Sequence, residues 1–258
     1  MYNPLQIPYI LNETYAGHML YKETPADECG GFIICFWEMR ARSDRSLTVN
    51  NIVVSDACID IIVNYDKQLI GFSGMSKTEF DYTVRLPARY LGARLMPGAF
   101  HQLTGLPASS AMDRFLPFEH VYASFDQQTF FSLPFDQAKT YLARYLAGVT
   151  SNIRPDTMTT LFHELTENPV SSAAELYRQL NFSPRQCQRL FEKHYGITPK
   201  LALSILRFQK CLKQLTSAEA ASGKILPIDG YYDQAHFIKD FKRNLGITPR
   251  ELIRHYQT

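Results

Sequence analysis

The chain has one tryptophan in 258 residues, five cysteines and no long apolar run. Its longest uninterrupted apolar stretch, Phe32–Trp37, has six residues, against roughly 20 for a membrane-spanning helix. No transmembrane segment is therefore expected. The first residues, MYNPLQIPYI, lack both a basic and an apolar signal region, so no secretion signal is expected either. Cys29, Cys35, Cys58, Cys187 and Cys211 are odd in number and contain no C-x-x-C pair. That argues against a disulfide framework and against a zinc site of usual spacing. His18, His101 and His120 are isolated, with no H-x-H or H-E-x-x-H spacing, and neither they nor Asp60 suggest a catalytic or metal centre. The expectation is a reduced, cytoplasmic protein that is not an enzyme and holds neither metal nor cofactor.

What is present is apolar content of 45%, with 17 Phe and 15 Tyr, enough to exclude global disorder. The formal charge of +2 hides an asymmetry. Residues 1–151 carry 12 Lys+Arg against 15 Asp+Glu, and residues 152–258 carry 15 against 10. An acidic front and a basic back predict two domains with different partners, the basic one suited to a polyanion.

The front half reads as β. Phe32–Met39, Leu47–Val54, Ala57–Tyr65, Gln68–Phe72 and Asp81–Leu86 are short apolar segments between turn signals, the pattern of an antiparallel sandwich or barrel. Arg85, Arg89 and Arg94, with Pro87 among them, are placed at a strand end or loop. After Pro97 the texture is helical: short pieces at 98–104 and 108–115, then a firmer helix over Phe135–Gly148. Ser151-Asn152 and Pro155 mark a linker. The predicted domains are 1–150, β-rich with helices, and 151–258, all-α. In the second, helices are expected at 156–167, 172–180, 184–195, 199–215 and 234–245, giving an α+β chain overall.

The all-α half contains an internal repeat. FSPRQCQRLFEKHYGITPK (182–200) aligns without gaps, at an offset of 50, with YDQAHFIKDFKRNLGITPR (232–250). Phe191/Phe241 and both Gly-Ile-Thr-Pro tetrads are identical, and Ser183/Asp233 are both N-cap types. A supersecondary unit has been used twice. In the first copy Cys187, Leu190, Phe191 and His194 form an inward stripe, while Arg185, Gln188, Arg189 and Glu192 form another face. In the second, Phe237, Phe241 and Leu245 face inward and Ala235, His236, Lys239 and Arg243 face out. A helix at Ser172–Leu180 and a short turn precede the first copy. Helix, short turn, and a second helix with a cationic, amide-bearing face is the helix-turn-helix pattern. Pro199–Leu215 carries apolar residues at Leu201, Ile205, Phe208, Leu212 and Leu215, as a packed connecting helix should.

Two such units on one connecting helix, with Tyr231-Tyr232-Asp233-Gln234-Ala235-His236-Phe237 and Phe241-Lys242-Arg243…Gly246-Ile247-Thr248-Pro249, resemble the DNA-binding domain of the AraC/XylS family of bacterial transcription regulators over about 160–256. The resemblance implies that the second helix of each unit enters the major groove. Arg185, Gln188 and Arg189 would then read bases or phosphates from the first unit, and Ala235, His236 and Lys239 from the second. Gln234 and Arg243 would lie closer to phosphate. Arg can bond guanine and Gln adenine in bidentate fashion. One departure stands out: Ser222–Gly230, where the supporting helix of the second unit should run, contains Pro227, which is costly inside a helix.

The same resemblance implies a cupin-like effector or dimerisation domain in front. Asp56–Asn64, Leu91–Ala99 and Leu116–Glu119 look like the N-terminal domain of one AraC-like subgroup. Arg85, Arg89 and Arg94, with Trp37, are the candidate site for an anionic effector; the alternative is surface arginines paired to nearby acids. Double-stranded DNA is the implied partner. A small-molecule effector and RNA polymerase are allowed as further partners, and the chain is expected to be a monomer or homodimer. Repair of alkylated DNA, known among proteins with this domain, needs a four-cysteine zinc site that Cys29, Cys35 and Cys58 do not supply. An interaction module with DNA binding weakened by Pro227 is the remaining alternative.

Overall fold

The computed structural model describes residues 2–6, 13–75, 81–215, 231 and 233–256. Helix α1 (Glu13–His18) leads into β1 (Met19–Pro25), followed by β2 (Ile33–Ala41), β3 (Leu47–Ile52), β4 (Ile59–Asn64), β5 (Leu69–Gly74), β6 (Asp81–Leu86), β7 (Arg89–Leu95) and β8 (Phe115–Pro117). Six of these strands form an antiparallel sheet in the order β1-β2-β7-β4-β5-β8. Strands β3 and β6 pair separately, antiparallel, as a two-stranded ribbon. In β4, Ile59, Ile61 and Val63 are buried while Asp60, Ile62 and Asn64 are partly exposed, the period-two alternation expected of a strand with one covered face.

Of the arginines expected at a strand end or loop, Arg89 is the first residue of β7 and Arg94 lies within it, a central strand bonded to β2 on one side and β4 on the other. Gly92 sits opposite Trp37 in the register. A Cβ there would lie 2.1 Å from Cε2 of the indole, so only glycine lets the large ring cross the strand. The expected helical piece at 108–115 is a short 3-10 turn, Ala108–Ser110, followed by β8. The Gly74 N–H donates to the Ala111 carbonyl at 2.8 Å, drawing this chain onto the sheet edge. Strand β1 gave no apolar alternation because it is a largely exposed edge strand.

The helices follow their caps. Gly98, at φ 90°, precedes α2 (Ala99–Thr104), so the left-handed glycine rather than Pro97 sets its start. Helix α3 (Gln127–Ser132) is capped by Asp126. Helix α4 (Phe135–Thr150) buries Ala138, Leu142 and Leu146, the stripe of a helix lying on a core. Then come α5 (Thr157–Glu167), α6 (Ala173–Gln179), α7 (Pro184–Tyr195), α8 (Pro199–Leu215), α9 (Gln234–Leu245) and α10 (Pro249–Tyr256). The Pro227 segment lies outside the described residues.

The apolar core does not break near residue 150. One buried cluster runs from Tyr2 through the sheet, α4, α5 and α7 to Ile205 in α8. A second joins Phe208 and Leu212 of α8 to Phe237, Phe241, Leu245 and Leu252, and includes Val54 from the front half. Side-chain amides tie the halves together. Gln102 of α2 donates to the Arg154 carbonyl (2.7 Å) and accepts from the Asp156 N–H (3.0 Å). Gln209 of α8 accepts from the Leu5 N–H (2.8 Å) and donates to the Ser55 carbonyl (3.0 Å).

His194 of α7 sits at this junction, edge-on to His101 of α2 with ring centroids 4.5 Å apart. His101 Nδ1 donates to the Leu106 carbonyl at 2.8 Å, and His194 Nδ1 is buried with no hydrogen-bond partner among the described residues. Burial, then the neighbouring His101, lowers the His194 pKa from 6.5; Asp156 opposes this and Lys193 adds to it. The unfolded chain therefore takes up this proton at a higher pH than the folded one, and stability falls as pH drops below the unfolded value. Denaturation midpoints measured between about pH 7 and about pH 5 should fall for the wild type by more than for His194→Gln. Parallel pH profiles for the two proteins would contradict the burial of an unprotonated ring.

Candidate nucleic-acid interface

The first unit is built from α6, a turn and α7. Ser172 caps α6, accepting from the Glu175 N–H, and the turn passes through Asn181 at φ 53°, a conformation Asn tolerates. Ser183 and Gln186 form a reciprocal capping box at the start of α7, with Pro184 at its first position. At its end Gly196 has φ 70°, and a Cβ there would lie 2.6 Å from Cγ of Met112. The glycine thus closes the helix and admits close contact with the front half.

The second copy repeats the design. Asp233 caps α9 by accepting from the His236 N–H at 2.7 Å, and Gly246 ends it at φ 79°. Thr198 and Thr248 each accept from a backbone N–H three residues on, at 3.3 Å, opening α8 and α10. Phe241 packs edge-on against Phe208 of α8, centroids 5.4 Å apart, which fixes the inner face of α9 on the connecting helix.

All eight expected groove residues are exposed: Arg185, Gln188 and Arg189 on α7, and Gln234, Ala235, His236, Lys239 and Arg243 on α9. Seven of them share the face opposite the buried stripe of their helix, Cys187, Phe191 and His194 in α7 and Phe237, Phe241 and Leu245 in α9, whereas Gln234 lies in line with the α9 stripe and is exposed at the first position of the helix. Among the described residues no carboxylate lies within ion-pair distance of Arg185, Arg189 or Lys239. Gln188 Nε2 donates to Glu192 Oε1 at 3.0 Å, an intrahelical bond that a base edge would have to replace. Arg243 Nη2 is already engaged, 2.8 Å from Asp240 Oδ1. Asp240 itself was not apparent as a site residue from the repeat; its signal was the i,i+3 spacing to Arg243.

The arginines of the front half do not converge. Arg85 is exposed on β6, in the separate ribbon. Arg89 and Arg94 are five residues apart on β7, hence on opposite faces. Arg89 pairs with Asp66 at 2.7 Å and stacks 5.0 Å from the Tyr65 ring centroid. Arg94 is 4% exposed and faces three carboxylates: Glu23 at 2.8 Å, Asp56 at 3.6 Å and Asp60 at 3.6 Å. Trp37 is buried and donates to Asp60 at 3.2 Å. Burial pushes the Asp60 carboxyl up to about 7, although Arg94 pulls it down. Arg94 is therefore charge-compensated from within the protein, and the four residues do not form one cationic surface. A cleft of about 350 Å³ does open beside this cluster, lined by Asn3, Gln6, Tyr21, Glu23 and Lys213 among others, so that it touches the front half and α8 together.

Residues 176–255 match a family described as a helix-turn-helix domain, and residues 21–117 match a domain of unknown function (DUF6597). The probable thc operon regulatory protein of Rhodococcus erythropolis is 31% identical over 86 residues, 32% of this chain and 26% of that protein. The match thus spans about a quarter of that relative's length. Among solved structures, ToxT from Vibrio cholerae O395 shares 9% identity over 93% of this chain and 98% of its own, with a TM-score of 0.36. The unsaturated fatty acid bound wild-type ToxT from Vibrio cholerae strain SCE256 shares 11% over 94% and 96%, at 0.38. At these scores the structural likeness carries no argument.

The pairing of Arg94 gives a direct expectation. Removing one partner of a buried charged cluster leaves the others uncompensated, at a cost of about 3–5 kcal/mol. Arg94→Ala should lower the denaturation midpoint steeply, whereas Arg85→Ala, at an exposed position, should change stability by less than about 0.5 kcal/mol. Equal, small effects of the two substitutions would show that Arg94 is not a structural centre.

Proposed function

The chain belongs to the AraC/XylS family of transcription regulators through its helix-turn-helix domain, and from that premise we propose that it binds duplex DNA sequence-specifically through α7 and α9. The observation that carries this reading is the repeated unit. Two capped helices of matching sequence stand on one connecting helix, each with a packed inner stripe and an exposed polar or cationic outer face.

In this reading Arg185, Gln188 and Arg189 read base edges from the first unit. His236 and Lys239 do so from the second, where Ala235 offers only apolar contact, and Gln234 and Arg243 lie closer to phosphate. Regulation is gated by a small molecule in the front half. The feature that supports gating is the cleft beside Glu23 and Lys213, because a ligand there touches both the sheet domain and α8. Effector identity, the sign of regulation and any contact with RNA polymerase follow from experiments on the intact chain.

The test is a salt titration of binding to duplex DNA selected by the protein from a random pool. With about six phosphates neutralised, log K should fall against log salt with a slope near −5. Arg189→Ala should cost about 1–3 kcal/mol on the selected site and relax selection at one base pair. A slope near zero overturns the DNA-binding reading. Equal weakening on every sequence would move Arg189 from base to phosphate.

A further inference from the structure

The inner stripe of α9 contains a residue that should not be there. Positions 187, 190, 191 and 194 of the first copy are Cys, Leu, Phe and His; the corresponding positions of the second are Phe237, Asp240, Phe241 and Asn244. Where the first unit packs Leu190, the second buries a carboxylate, only 6% exposed. A buried carboxylate is unfavourable unless its oxygens are matched, and here both are. Oδ2 accepts from the Tyr231 hydroxyl at 3.2 Å. Oδ1 accepts from Arg243 Nη2 at 2.8 Å, and the same Nη2 lies 3.5 Å from Ser204 Oγ on α8.

The guanidinium so held is not itself buried. The Arg243 side chain is 67% exposed, and among the described residues its Nε and Nη1 have no hydrogen-bond partner. Nη2 is fixed to α9 and α8, and the Nη1 donors have no partner among the described residues. The first unit has Lys193 at the matching position, exposed and with no carboxylate behind it among the described residues.

We propose that Asp240 is a positioning residue for DNA recognition: it holds Arg243 so that Nη1 of the guanidinium meets a backbone phosphate beside the groove entered by α9. This rests on the DNA-binding reading above. The physical gain is preorganisation. Immobilising a free arginine on binding costs side-chain entropy, and Asp240 incurs that cost at folding instead. Because the guanidinium is planar, anchoring Nη2 also fixes the direction in which Nη1 points.

The experiment compares the intact wild type, Asp240→Asn, Arg243→Ala and the double variant on the duplex the wild type selects, by fluorescence anisotropy across a salt series. Thermal melting by circular dichroism monitors folding, and Asp240→Leu, which restores the residue type of the first copy, serves if the Asn variant melts early. On charge alone, deleting a carboxylate from a DNA-facing helix should tighten binding, so weakening is diagnostic. Asp240→Asn should weaken binding about tenfold with the fold intact. Arg243→Ala should reduce the salt slope by about one. Adding Asp240→Asn to Arg243→Ala should produce no further loss, since the two act through one contact. Unchanged or tighter binding by Asp240→Asn overturns the proposal, as does an equal loss in the Arg243→Ala background, or a salt slope that Arg243→Ala leaves unmoved. A wild type that binds no duplex at all sinks the DNA-binding reading itself, and this inference with it.

Discussion

Gln209 is the residue on which the arrangement of the two halves turns. It is 2% exposed, midway along α8, and its amide is matched entirely by backbone: the Leu5 N–H and the Ser55 carbonyl. A buried amide or backbone group left unmatched costs about 1–3 kcal/mol. Moving α8 away from residues 5 and 55 would leave several such groups unmatched at once. The connecting helix is therefore held in register with the front half by hydrogen bonds as well as by apolar packing. Since α8 carries both recognition helices, the direction of both is set there.

The two units are nevertheless secured differently. Helix α7 shares the core of the front half: Gly196 abuts Met112 and His194 meets His101. Helix α9 belongs to a smaller core made with the far end of α8, reinforced by Asp240 and its partners. A change in the front half thus has a short physical route to α7 through packed side chains, while the smaller core of α9 meets the front half at Val54 and through α8. That asymmetry fits the proposed reading, in which the front half biases how α7 and α9 are presented.

Much of this was legible in the sequence, and for identifiable reasons. The helices at 184–195, 199–215 and 234–245 have the bounds expected from caps and periodicity, because Ser183-Pro184, Gly196, Thr198-Pro199, Asp233 and Gly246 act locally. Seven of the eight expected groove residues lie on the exposed face because an amphipathic helix sorts its own faces, and Gln234 is exposed by its place at the helix start. What was not legible depended on distant partners. The central strand Arg89–Leu95 was not among the expected strands, because the need for Gly92 comes from Trp37, across the sheet. The arginine cluster looked cationic because Glu23, Asp56 and Asp60 meet Arg94 only after the sheet forms. Gln102 and Gln209 gave no signal, since a polar residue on a helix reads as surface until its backbone partners are known.

The central claim is that one connecting helix, fixed by the front half, presents two reading helices to one face of a duplex. Hydroxyl-radical footprinting of the intact chain on its selected site tests this most directly. The account predicts two protected patches on the same face, one helical turn or about 34 Å apart. A single patch, or two patches out of phase with the helical repeat, would contradict it.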